Sequence, residues 1–389
     1  MQAAGNLWGG QTVKFSHHVR IACAIALVAV SAGAALADIS AFNAAVKAGD
    51  FKTASVEAKG VWATWNPSDP DTATVAREFG FASYVAGDFA AARDYGQFLR
   101  DKGGTLAKPD DQPATSRVLH TAANFRLAAT DATRKDLSDA LQAREAAPGV
   151  DSISLLAAEA LYKADWAAGR WDEVNASGMS AYRIISRGGD AVSVRALEAQ
   201  TTAAAGAFLS RRDKDDYDTM VDAHDAIIEA VDTATDPKRR AALVTLSFTA
   251  RAWAHSILSA LNTSSQTGSL IPIKAKYREM RYPERGYFDS DGSSSPGNAC
   301  DIEVNTNAFT YPRSALYKGM VGTVLMRFDL DEEGRVVDAE TLAAVPARQF
   351  SAAVMDAVPK IRFTRISGSS SNCTIARKNY IFTLMFGIL

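Results

Sequence analysis

The sequence predicts a multidomain protein in which an all-α array of helical hairpins is followed by a small α+β domain. Three observations carry that expectation. From Asp38 to about Ser264 the chain is rich in Ala, poor in β-branched runs, and apolar at a period of 3.6 residues. Within that region one kind of small-residue turn recurs between helices. From about residue 308 onward the pattern becomes that of short strands around one helix. The expected organisation is therefore a targeting segment at 1–37, a helical region at 38–264, a linker or docking segment at 265–307, and a terminal domain at 308–389. The roughly 350 residues that remain without the first segment exceed one ordinary core.

Lys14, His17, His18 and Arg20 precede an uncharged apolar run, Ile21 to Ala37, that ends in Ala35-Leu36-Ala37 before Asp38. A basic start, an apolar middle and a small-x-small end predict a secretory signal peptide. The run is shorter than the roughly 20 residues a bilayer requires. The periplasm is the expected location, with an inner-membrane protein facing the periplasm as the alternative. Membrane contact is expected only if the apolar segment is retained. Cleavage removes two basic side chains and no acidic ones, leaving a formal charge of about −4, which predicts no nucleic-acid partner.

In the helical region, Val75, Phe79, Ala82 and Ala86 form one apolar stripe. The turns AVKAGDF, YVAGDF and WAAGRW end at Phe51, Phe89 and Trp171. Gly49 and Gly87 are about 38 residues apart, and Gly169 follows at about twice 41, so a copy lacking its glycine is expected near Thr130-Asp131, with a further break at Ser210 to Arg212. Stacked hairpins of this period cannot bury their faces alone. The pieces GDFAAARDYGQFL and GRWDEVNASGMSAYRI resemble tetratricopeptide-type repeats, which implies a TPR-like solenoid and a groove for peptides or partner proteins. The spacing is longer than that family's 34.

Candidate chemistry in these helices is sparse. His120, His224 and His255 are far apart in sequence and lack a metal-ligand spacing. The acidic run from Arg211 to Asp218 falls at an expected helix start, where carboxylates meet the positive end of the helix. No catalytic residue, cofactor or metal is expected. Between the regions, Lys274 to Phe288 interleaves five basic residues with aromatic ones, read as a docking segment.

FDLDEEGRVVDAE, Phe328 to Glu340, has the acid and glycine spacing of a calcium loop. Thr323, Val324, Phe328, Val336 and Val337 favour strands on both sides, however, so the stretch is expected to be a hairpin turning at Gly334. A helix follows Pro346, marked by Phe350, Val354 and Val358, and a long apolar strand closes the chain, giving the order strand, strand, helix, strand.

Tyr311-Pro312, Ala315, Gly319, Gly322-Thr323-Val324, Phe328, Gly334-Arg335-Val336 and Ile361-Arg362-Phe363 together resemble the TonB C-terminal domain. Ile361 stands where that family usually has Trp, and Thr364-Arg365 replace a common proline. The resemblance implies a periplasmic module whose sheet edge pairs with an extended protein segment. The candidate edge is Asn379, Tyr380, Ile381, Phe382, Thr383, Leu384, Met385 and Phe386. Expected partners are envelope proteins, an outer-membrane receptor among them. A proline-rich spacer, usual in energy transducers of that family, is missing from the sequence, so a non-enzymatic adaptor or scaffold is the expected role. The alternatives are a membrane-anchored energy transducer and a ligand-binding or enzymatic helical groove. Cys300 and Cys373 remain after processing, and an oxidising compartment predicts that they pair.

Overall fold

Helical pairing in the computed structural model begins at the recurrent turns. It describes residues 39–147, 149, 151–187, 193–213, 215–264, 300–304, 309–317, 320–346, 348–367 and 372–386. The expected signal peptide, the basic-aromatic segment and Gly319 lie outside the described residues. Helix α1 (Ser40–Ala48) ends at Gly49, whose φ of 74° lets the backbone turn left-handed. Asp50 then accepts from the Thr53 N–H at 3.1 Å and starts α2 (Phe51–Thr64). The same device joins α3 (Thr72–Ala86) to α4 (Phe89–Lys102): Gly87 turns the chain and Asp88 accepts from the Ala91 N–H.

The copy without a glycine falls between α5 (Pro113–Leu127) and α6 (Asp131–Ala146), where Thr130 and Thr133 cap each other reciprocally. Gly169, with φ 68°, separates α7 (Ser152–Ala168) from α8 (Trp171–Ser186). Arg212 holds a left-handed conformation between α9 (Val194–Arg211) and α10 (Asp215–Thr233). At the start of α10 the buried Asp216 reaches back to accept from the Asp213 N–H at 2.8 Å and accepts from Arg211 at 2.9 Å. One long helix, α11 (Pro237–Ser264), follows.

The described residues fall into two compact units. Those up to Ala168, with Ala176–Ala191, form one; Gly169–Asn175, with those from Val192 onward, form the other. In the first, Phe42, Ala54, Ala58, Val61, Val75, Phe79, Ala82 and Tyr95 make a continuous core. Its fully buried alanines let neighbouring helices approach closely. Polar groups link successive hairpins: Ser55 and Lys59 of α2 both bind Asp88, and Arg134 of α6 and Ser177 of α8 both bind the fully buried Asp165.

The second unit contains the sheet. β3 (Val336–Val345), β2 (Gly322–Leu330) and β5 (Arg377–Phe386) are antiparallel in the order β3-β2-β5. The helix α12 (Arg313–Tyr317) precedes β2, and α13 (Arg348–Ala357) follows β3. Two short strands, β1 (Ile302–Val304) and β4 (Phe363–Arg365), pair separately. β1 thus occupies part of the stretch read as linker, just past its Ser- and Gly-rich portion.

The calcium-loop spacing folds as a hairpin. Asp331 accepts from the N–H groups of Glu333 and Arg335, and Gly334 turns with φ 71°. A Cβ there would lie 2.0 Å from the Phe363 carbonyl, so glycine also permits the close approach in which Phe363 N–H donates to Gly334 O at 2.9 Å.

The central strand β2 is buried on both faces from Gly322 to Met326, and beyond that Arg327 and Asp329 are partly exposed. Val324, Met326, Phe328 and Leu330 join Phe350 and Val354 of α13 in one aromatic-rich core. By alternation Thr323 and Leu325 face the other way. There α11 lies across β2 and β3, and Ser256 Oγ donates to Thr323 Oγ1 at 2.9 Å with both residues buried. The last helix of the expected helical region is thus a layer of the sheet unit.

Candidate functional site

The terminal strand is an edge. β5 pairs with β2 on one side, from Gly322↔Phe386 to Leu330↔Arg377, and among the described residues no strand lies on its other side. Among the described residues the backbone groups on that side have no ladder partner, the arrangement that strand addition requires.

Its side chains divide by parity. Tyr380, Phe382, Leu384 and Phe386 pack, partly exposed except Phe386, onto the α13-side core. Phe382 stacks with Phe309 at 6.3 Å between ring centroids and meets Phe363 edge-on at 5.6 Å. Ile381, Thr383 and Met385 lie on the opposite face, where Met385 is 48 % exposed. The two roles expected for this strand, filling the core and offering an edge, are thus carried by side chains and backbone respectively.

The start of β5 is irregular. The register passes from Phe328↔Tyr380 to Leu330↔Arg377, so Lys378 and Asn379 stand opposite Asp329 alone, a bulge in which Asn379 has φ 51°. Asp329 holds both extra residues: its carboxylate accepts from the Asn379 N–H at 2.8 Å and from Lys378 Nζ at 2.6 Å. Partial burial raises the Asp329 pKa, but the Lys378 and Asn379 hydrogen bonds outweigh it and hold the carboxyl below its usual value. The regular ladder of β5 therefore begins at Tyr380, just past the bulge.

Ahead of the bulge, Cys300 and Cys373 are bonded, with Cα atoms 4.9 Å apart. Cys300 N–H donates to Thr374 O at 2.9 Å, and the Arg377 guanidinium donates to Cys300 O.

The motif residues serve the frame behind this edge. Tyr311 donates its hydroxyl to Met320 O and packs edge-on against Phe350 and Phe386. The Pro312 carbonyl accepts from the Ala315 N–H and starts α12. A Cβ on Gly322 would strike the Phe350 ring at 2.6 Å, so glycine lets α13 sit close. Phe328, 1 % exposed, touches the rings of Phe363, Tyr380 and Phe382. Ile361, at the position of the family's Trp, is buried in the same core.

Of the histidines expected to be scattered, the fold brings His224 of α10 and His255 of α11 close enough to interact with each other and with Arg251, while His120 lies in the other unit. His120 contacts Arg93 O and Asn124. His224 and His255 are held down to about 4, in both cases chiefly by burial. A cleft between α4 and α5 is lined by Arg100, Asp110, Ser116 and Arg117, but Asp110 is already bound by Arg77 and Ser116.

Sequence reading missed Asp329 and Arg377, which set where the edge begins, and Ser256, which covers the sheet. One signal was available: Leu325 breaks the alternation of GTVLMRFDL, placing an apolar side chain on the face opposite Val324, Met326 and Phe328.

A family model described as Gram-negative bacterial TonB protein C-terminal matches residues 307–384. The C-terminal segment is thus of the TonB C-terminal type, as its motif implied, and α1 to α11 lie outside the matched residues. Among individual relatives, the chain is 35% identical over 79 residues to Protein TonB of Yersinia enterocolitica, covering 20% of this chain and 28% of that protein. It is 36% identical over 75 residues to Protein TonB of Pseudomonas aeruginosa, covering 19% and 22%. A solution NMR structure of the Pseudomonas aeruginosa TonB CTD is 30% identical over 25% of this chain and 93% of that one, with a TM-score of 0.20. The chain spans about a quarter of the length of these curated relatives.

Proposed function

We propose that this protein is a non-enzymatic adaptor of the Gram-negative envelope, linked to outer-membrane transport, whose C-terminal sheet binds an extended protein segment along β5. The observation that carries the reading is the edge of β5, unpaired among the described residues, in a sheet whose central strand is covered on both faces over its first half. With β2 so covered, the backbone edge is where a partner strand gains hydrogen bonds without disturbing the core. The TonB-type match of residues 307–384 supports the same use, and an outer-membrane receptor is the leading partner. The TPR-like helical hairpins supply a second protein-binding surface. A periplasmic location follows from cleavage after Ala37; retention of Ile21–Ala37 would make the chain an anchored energy transducer instead.

Site-specific photo-crosslinking in intact cells tests this. A photoreactive residue at Met385 or Thr383 should trap an envelope protein, while one at Lys135, exposed on α6, should not trap the same protein. Equal yields from both places, or no adduct from β5, would remove the reading. Fractionation of the same cells separates periplasmic adaptor from anchored transducer.

A further inference from the structure

Several of the ties that hold the approach to β5 converge on Cys300. Cys300 is 2 % exposed, and it makes three ties to this approach: its sulfur to Cys373, its N–H to Thr374 O, and its carbonyl to the Arg377 guanidinium. Arg365 of β4 adds a bond to Cys373 O at 3.1 Å, and Ile366 N–H donates to Asp301 O at 2.9 Å, which keeps β4 beside the chain leading into β1. Beyond Arg377 the strand passes through the Asp329 bulge before the regular ladder resumes at Tyr380. Residues 374–376 precede the strand and are tied to the cysteine pair and its neighbours, Arg377 is held both there and by its pairing with Leu330, and Lys378 and Asn379 are held by Asp329.

We propose that Cys300–Cys373 is a thiol-exchange site for a dithiol reductant, and that its state sets the length of the ordered β5 edge. This rests on the reading of β5 as the partner-binding strand. Cys373 is partly exposed and Cys300 is buried, so an incoming thiolate reaches Cys373 Sγ. That attack breaks the S–S bond, and Cys300 leaves as a thiolate and takes a proton. The second thiol of the reductant then closes on the sulfur bound to Cys373, releasing the Cys373 thiolate, which is protonated in turn. Two electrons and two protons pass to the protein and the dithiol becomes a disulfide. With the bond closed the edge runs from Arg377 to Phe386. With it open the residues before the bulge lose their anchor and the edge begins at Tyr380, so a partner strand has fewer backbone groups to pair with.

Hydrogen exchange on the full mature chain, before and after dithiothreitol, reads this directly, with the thiol state checked by alkylation and mass. Exchange at 374–377 should rise about tenfold or more on reduction, while 379–386 and the α3–α4 hairpin change by less than about twofold. The Cys300→Ser/Cys373→Ser variant should match the reduced pattern; if that variant does not fold, the wild-type pair of states still decides. Unchanged exchange after complete reduction, equal acceleration throughout β2 and β5, or two free thiols in unreduced protein would each overturn the proposal. Exchange is measured without a partner. A failed crosslink from Met385 beside a normal exchange response would therefore remove the partner reading and leave the cysteine site standing.

Discussion

In the helical hairpins the contacts that decide local structure are close in sequence, whereas in the sheet unit they are distant. Asp50 and Asp88 each cap a helix three residues on, and Thr130 and Thr133 do the same. In the sheet unit Asn379 is held from 50 residues away, Thr323 from 67, and the Cys300 carbonyl from 77. Local contacts cost little chain entropy to form and repeat easily; distant ones require the whole domain to assemble first. The hairpins should therefore tolerate the loss of one device, while the sheet unit should respond to single changes at its centre.

The largest effect should come from Phe328→Ala. Phe328 is at the centre of the aromatic core, and its truncation should cost about 3–5 kcal/mol. In hydrogen exchange, protection should fall across β2 and β5 and hold in α3 and α4. Equal loss in both regions would mean that they unfold as one and that the contrast is false.

Acid should act next, and on the same unit. Burial holds His224 and His255 at about 4; Asp225 pulls His224 back upward, while Arg251 pushes both down. Unfolded, each titrates near about 6.5. The folded state binds fewer protons between these values, so stability is complete above about 6.5 and is lost as pH falls toward about 4, on the order of 3 kcal/mol for the first proton. Urea midpoints followed from pH 7 to 4.5 should decline for the wild type and flatten in His224→Gln/His255→Gln. Parallel declines would exclude the histidines as the cause.

The smallest effect sharpens the other side. Asp88→Ala removes a cap and the partner of Ser55 and Lys59, and should cost about 1 kcal/mol. Protection should fall at the start of α4 without spreading to α7. A change that propagates through the array would show cooperativity that local capping does not explain.

Much of this molecule is written locally. The turn glycines, the aspartates after two of them, the copy at Thr130 and the hairpin at Gly334 follow from backbone conformations and hydrogen bonds within a few residues. The β5 edge was legible too, since an apolar strand at the end of a TonB-type motif has few places to pair. Three things were decided only in three dimensions. α11 reads as one more amphipathic helix, yet Ser256 meets Thr323 and makes that helix a layer over the sheet. Asp329 reads as one of several acids near a turn, yet it pins the bulge that starts the edge. β1 lies in the stretch read as linker, and it becomes a strand because β4 offers a ladder. Local sequence determines which way a short segment bends and where it is capped. Which distant surface it covers depends on the shape and polarity of a partner that exists only once the chain has folded.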